Sequence, residues 1–184
     1  MFINICVLYF CLDIVKISNL LGLEKLTKLQ LDNNIITKIE GLDSLVNLTW
    51  LDLSFNLIKK IENLDNLTKL TDLSLFRNEI TELSGLENLH ELNVLSVGSN
   101  KLENLEETVK YLKGLKNNLE VLKISDNVFQ KKSDKYKNYT IAYLKDLKYL
   151  DYELIKDQER QTANDEHKEE INDVENEQNN DKQE

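Results

Sequence analysis

The chain contains no proline in its 184 residues, and glycine occurs only five times. A β-sandwich or antiparallel barrel draws on both residues for its tight turns, so neither architecture is expected. Cysteine appears twice, at Cys6 and Cys11, in a spacing that fits no common zinc or redox motif. Both are read as small core residues, which argues against a disulfide framework and for a reducing compartment. The two histidines, His90 and His167, stand alone. The sequence shows no glycine-rich phosphate loop, no histidine-bearing metal motif and no nucleophile signature. The chain is therefore not expected to be an enzyme, and no metal or cofactor is called for. Lys and Arg total 23 against 33 Asp and Glu, a formal charge of −10, which argues against a nucleic-acid partner held by a basic surface. One long apolar run exists, MFINICVLYFCL at residues 1–12. It lacks a basic flank and a small-residue cleavage site, and it is too short to span a bilayer. It reads as a first strand, or as a wrongly assigned start, and no membrane association is expected.

Apolar residues make up 41% of the chain, and their order is periodic. The pattern L-x-x-L-x-L-x-x-N recurs as LTKLQLDNN ending at Asn34, LTWLDLSFN at Asn56, LTDLSLFRN at Asn78 and LNVLSVGSN at Asn100, 22 residues apart each time. LEVLKISDN follows at Asn127 after a step of 27. Five matches in register identify leucine-rich repeats. The expected fold is α/β: a solenoid of 22-residue repeats with a parallel concave sheet, short helical or 3₁₀ segments on the convex side, and a C-terminal cap. One repeat, with Leu45, Leu48, Leu51, Leu53, Ile58, Ile61 and Leu64 facing inward, buries too little surface to offset the entropy of ordering its own backbone. Repeats must stack to fold. The longer return after Asn100, KLENLEETVKYLKGLKNN, has room for a helix of two to three turns.

Residues 1–22 read as a degenerate first repeat or N-terminal cap, with Leu12 where an asparagine would stand; 23–135 hold the repeats. Residues 136–155 are expected to form the cap, with apolar spacing at Tyr143, Leu144, Leu147, Leu150 and Ile155. Residues 156–184 carry eleven acidic and four basic side chains, a net of −7, with few large apolar residues. This tail is expected to be disordered, or a helix that needs a partner.

Strand side chains alternate, so the letters between the leucines face outward. The expected outward rungs are Lys28, Gln30 and Asp32; Trp50, Asp52 and Ser54; Asp72, Ser74 and Phe76; Val94, Ser96 and Gly98; and Val121, Lys123 and Ser125. Phe55 and Arg77 border that face. Trp50, the only tryptophan, Phe55, Phe76 and Val94 are expected to form an apolar patch rimmed by Asp52, Asp72 and Arg77. An aromatic cluster with a polar rim is the composition of a protein-binding hot spot. Asn34, Asn56, Asn78, Asn100 and Asn127 are given a structural role, bonding backbone groups of adjoining turns.

The stretches LQLDNNIITKIEGL, WLDLSFNLIKKIENL, LSLFRNEI and AYLKDLKYLDY resemble the dynein regulatory complex subunit 3 family of axonemal leucine-rich-repeat proteins, from about Ile14 to Ile171. The outward letters Trp50, Asp52, Ser54, Phe55, Ser74 and Phe76 and the cap AYLKDLKYLDY carry the resemblance, since the bare repeat is widespread. The resemblance implies a non-catalytic scaffold of the nexin–dynein regulatory complex in the cilium or flagellum, part of the cytoskeleton, with other subunits or dynein arm components as partners. In that family long coiled coils follow the repeats; this sequence stops soon after the cap. A type-1 protein phosphatase regulator and an outer-arm dynein leucine-rich light chain are the alternative readings.

Overall fold

The structure, a computed structural model, describes the backbone of residues 5–8 and residues 13–131 and 135–168. Strands β1 (Ile5–Leu8), β2 (Leu26–Gln30), β3 (Trp50–Asp52), β4 (Asp72–Ser74), β5 (Val94–Ser96), β6 (Val121–Lys123) and β7 (Tyr149–Leu150) form one parallel sheet in chain order. A last strand, β8 (Glu153–Leu154), turns back antiparallel on β7. The register follows the repeat: Leu29, Leu51, Leu73, Leu95, Leu122 and Leu150 are paired in a row across the sheet. All six are essentially buried, because each caps the apolar layer of its neighbour.

The convex side closes each 22-residue repeat with paired i→i+3 turns rather than an extended helix. Leu45 and Leu48 donate backbone N–H to Leu42 and Leu45, and Leu67 and Leu70 make the same bonds in the following repeat. Asn19, Gly41, Asn63 and Gly85 all hold positive φ at one position of the return. Side chains there meet the previous repeat: a Cβ on Gly85 would lie 2.7 Å from the Ile61 carbonyl. Asn63 turns the approach into a hydrogen bond, Nδ2 donating to the Ile39 carbonyl at 2.7 Å. The 27-residue step supplies the expected helix, α1 (Leu105–Gly114). Asn104 caps it by accepting from Glu107 N–H, and Tyr111 latches it to the previous repeat, accepting from Leu86 N–H and donating to Glu87.

The asparagines form a continuous ladder. Asn78 Nδ2 donates to the carbonyls of Leu53 and Leu75 while its Oδ1 accepts the Ile58 N–H at 3.0 Å. Asn56, Asn100 and Asn127 make the equivalent bonds to Ile36, Ile80 and Leu102 N–H, and Asn34 accepts from Ile14. Each ties its own turn to the repeat before it and leaves no buried donor open there.

The cap solves the end of the ladder differently. In the repeats, Leu31, Leu53, Leu75 and Val97 N–H each donate to a carbonyl of the next strand. Beyond β6, Asp151 takes over: its Oδ1 accepts both Ile124 and Ser125 N–H at 2.9 Å, and its Oδ2 accepts from Tyr136 OH at 3.0 Å. Burial, then the Asp151 charge, push the Tyr136 phenol well above its ordinary pKa, so it stays a donor. Tyr136 belongs to α2 (Tyr136–Tyr143), and a third helix, α3 (Asp157–Glu166), packs on α2.

That helix corrects the reading of 156–184 over its described part: residues 157–166 fold onto the chain itself. The bond set is mostly polar, which the composition concealed. Arg160 donates to the carbonyls of Ile141, Leu144 and Leu147, the open end of α2 and the turn after it, where helix carbonyls lack partners. Ala163 is fully buried, and His167 sits edge-on to Tyr139. The tail beyond residue 168, the side chain of Cys6, and Cys11 and Leu12 lie outside the described residues. Among the described residues no helix is long and apolar enough to cross a membrane.

Candidate functional site on the concave sheet

The strand register sets side chains in rows across the concave face. One row runs Lys28, Trp50, Asp72, Val94, Val121, Tyr149 and Leu154. The next runs Gln30, Asp52, Ser74, Ser96 and Lys123. A shallow concavity of about 390 Å³ opens over β3–β5, lined by Trp50, Asp52, Phe55, Asp72, Phe76 and Val94 among others. Six of the seven sequence-predicted binding residues thus meet at one place. The seventh, Arg77, stacks on Phe55, its guanidinium carbon 5.4 Å from the ring centroid.

The patch has more internal order than a hydrophobic cluster. Phe55 and Phe76 meet edge to face at 5.6 Å, a favoured geometry. Trp50 stands at the opposite end of β3, in register between Lys28 and Asp72, with Asp52 and Ser74 on the floor between. The aromatics are therefore the walls of a polar-floored hollow, not one apolar surface.

The outward rungs need one correction. Ser54 is 5% exposed, and Gly98 and Ser125 are buried too. Alternation fails at the strand ends because the residue after each turns the chain: Asn33, Phe55, Arg77, Ser99 and Asp126 all have positive φ. Ser54 Oγ is instead 2.6 Å from Ser74 Oγ. Asn and Asp suit that left-handed conformation; Phe55 (φ 54), Arg77 (φ 56) and Ser99 (φ 53) do not. Side chains held there at a cost concentrate where structure serves function.

Sequence reasoning missed Tyr152. It lies in the β7–β8 turn, is 77% exposed, and lines the same concavity as Trp50. Lys123 Nζ sits 5.1 Å from its ring centroid. Tyr152 ends the cap stretch AYLKDLKYLDY, but no neighbouring repeat has a counterpart that would place it on the concave face.

Among the described residues no group of three His, Cys, Asp or Glu is placed to hold a metal ion. Asp52 Oδ1 accepts Ser54 N–H and Asp72 Oδ2 accepts the Thr71 hydroxyl, bonds that orient the carboxylates rather than activate them.

Comparison with known proteins agrees with this architecture. The leucine-rich repeat family profile matches residues 44–177. A chain in the crystal structure of the Drosophila melanogaster SNF/U2A′ complex superposes with a TM-score of 0.68 at 30% identity, over 80% of this chain and 85% of that one. An internalin from Listeria monocytogenes superposes with a TM-score of 0.58 at 31% identity, over 72% of this chain and 36% of its own. No curated protein sequence matches the chain. With repeats, ladder and concave sheet all in place, this chain belongs to the leucine-rich repeat family.

Proposed function

We propose that the chain is a non-catalytic protein-binding scaffold that captures its partner on the concave face, and that it serves the motile-cilium axoneme as a relative of the dynein regulatory complex subunit 3 family. The observation that carries the binding reading is the concavity itself, which gathers Trp50, Asp52, Phe55, Asp72, Phe76 and Val94 from three adjacent strands and their turns. The axonemal reading rests on the resemblance. Trp50, Asp52, Ser54, Phe55, Ser74 and Phe76, which carry it together with the cap stretch, line this concavity. The similar chain from the SNF/U2A′ structure comes from a complex of two proteins, in keeping with a scaffold role here. Partners on this reading are regulatory-complex subunits or dynein arm components, and the location is the cytoskeleton of the cilium or flagellum.

The test is capture from solubilised axonemes with wild type and with Trp50→Ala/Phe76→Ala. Neither side chain belongs to the buried core, so the double variant should fold with stability altered by about 1 kcal/mol or less. Recovery of regulatory-complex or dynein subunits by wild type alone supports the proposal. Equal recovery by both proteins moves the binding surface off the concave face. Recovery of a type-1 phosphatase in place of axonemal proteins overturns the axonemal reading.

A further inference from the structure

The charges in the concavity do not balance. Asp32, Asp52 and Asp72 line it together with Trp50, Phe55, Phe76 and Tyr152, and no basic residue lines it. Asp32 has both oxygens engaged by neutral donors, Gln30 to Oδ1 and Asn33 to Oδ2. Asp52 and Asp72 each have one hydrogen-bonded oxygen; among the described residues the second oxygen of each accepts no bond. Both residues are only half-buried, under aromatic walls. The basic residues nearby are committed elsewhere. Lys123 lies 3.7 Å from both Asp126 and Asp151 and over the Tyr152 ring, and Arg77 lies over Phe55. Lys28, beside Trp50, is exposed and makes no ion pair with Asp52 or Asp72 among the described residues. Carboxylates beside aromatic faces match a cation twice over, through charge and through the ring quadrupoles. With no metal-binding group among the described residues, the fit is to an organic cation.

From here the outer row turns apolar: Val94, Val121, Tyr149 and Leu154 continue it to the sheet edge, the last two 42% and 55% exposed. We infer that the concave face receives an arginine or lysine side chain of its protein partner between Asp52 and Asp72, with apolar partner residues lying along Val94, Val121 and Tyr149. Three inter-strand steps separate Asp72 from Tyr149, about 14 Å at the usual strand spacing, so the cation and the apolar contacts fall within one short segment.

This inference rests on the concave-face reading, and its test separates the two. The single tryptophan makes Trp50 fluorescence and its indole N–H resonance reporters inside the site. The probe is the peptide Ac-Leu-Leu-Arg-Leu-Leu-NH2, titrated beside the same peptide with citrulline, a neutral isostere of arginine. The arginine peptide should give a saturable Trp50 response, at least tenfold tighter than the citrulline peptide. In Asp52→Asn/Asp72→Asn, which retains the acceptors for Ser54 N–H and the Thr71 hydroxyl, that advantage should vanish. The arginine-versus-citrulline contrast in wild type decides the matter even if the variant folds poorly. Equal responses to both peptides, no response, or an advantage that survives in a folded variant overturns the inference. If axonemal capture still depends on Trp50 and Phe76 in that event, the concave-face reading stands without it.

Discussion

Asn78 and Asp151 meet the same demand in different surroundings. Both are side-chain acceptors for backbone N–H groups that would otherwise be stranded between layers. Asn78 has a repeat on each side, and its amide both accepts from Ile58 and donates to the Leu53 and Leu75 carbonyls. Asp151 has no further repeat to serve. It faces donors only, namely Ile124 N–H, Ser125 N–H, Tyr136 OH and Lys123. An amide suits a site with donors and acceptors; a carboxylate suits one with donors alone. Asp151 thus stands in for the carbonyl that a further strand would offer, while the ladder itself ends on an asparagine, Asn127.

The comparison breaks most visibly in the interior. Asn78→Ala strands the Ile58 N–H at a buried position and takes from the Leu53 and Leu75 carbonyls one of their two ladder donors, and should lower stability by about 3–4 kcal/mol. Chemical denaturation would register it as a large drop in midpoint. The solenoid should lose cooperativity from the middle outward, since each repeat leans on its neighbours. A change below about 1 kcal/mol would mean that water replaces the amide and that the ladder is not structural.

At the cap, Asp151→Ala takes the acceptor from the Ile124 and Ser125 N–H groups and the Tyr136 hydroxyl, and should cost about 2–3 kcal/mol. Asp151→Asn sharpens the contrast. It keeps Oδ1 for the Ile124 and Ser125 N–H groups but turns a donor toward Tyr136 and removes the charge that faces Lys123, so about half of the loss should remain. Thermal melts of the three proteins would rank them wild type, Asp151→Asn, Asp151→Ala. If the two variants melt together, the Tyr136 and Lys123 contacts, not the ladder bonds, hold the cap.

The difference between repeat and cap also explains what the sequence could disclose. The ladder asparagines, the leucine rows and the helix in the longer step were legible because each repeat is read against its neighbours. The outward placement of Trp50, Asp52, Asp72, Phe76 and Val94 was legible by alternation, and that of Phe55 by its place beside that face. Ser54 was misplaced because alternation stops where Phe55 reverses the chain. Asp151, Tyr152 and Arg160 each occur once, with no counterpart in a neighbouring repeat, so their roles exist only in three dimensions. The segment 157–166 read as disordered, or as a helix in need of a partner, because its anchor is an arginine on carbonyls, with one buried alanine where a stripe of leucines would have been visible.

Arg160→Ala removes that anchor and should cost about 1–2 kcal/mol, confined to the cap. Hydrogen exchange would show faster amides in 136–168 and unchanged protection in β2–β5. Faster exchange throughout would mean that α3 stabilises the whole solenoid rather than its last layer.

Phe55→Asn is the smallest expected change in stability and the most informative about the site. Asparagine tolerates the left-handed backbone at this position, as Asn33 does one repeat earlier, and relieves about 1 kcal/mol of backbone cost. The substitution also gives up the edge-to-face contact with Phe76 and the Arg77 stacking, worth about as much. Stability should therefore move by less than about 1 kcal/mol in either direction, while partner capture falls. A residue kept at a strained position for the sake of packing would behave otherwise: its removal would destabilise the fold by about 2 kcal/mol and leave capture intact. Measuring melting and capture on the same variant decides which of the two holds Phe55 in place.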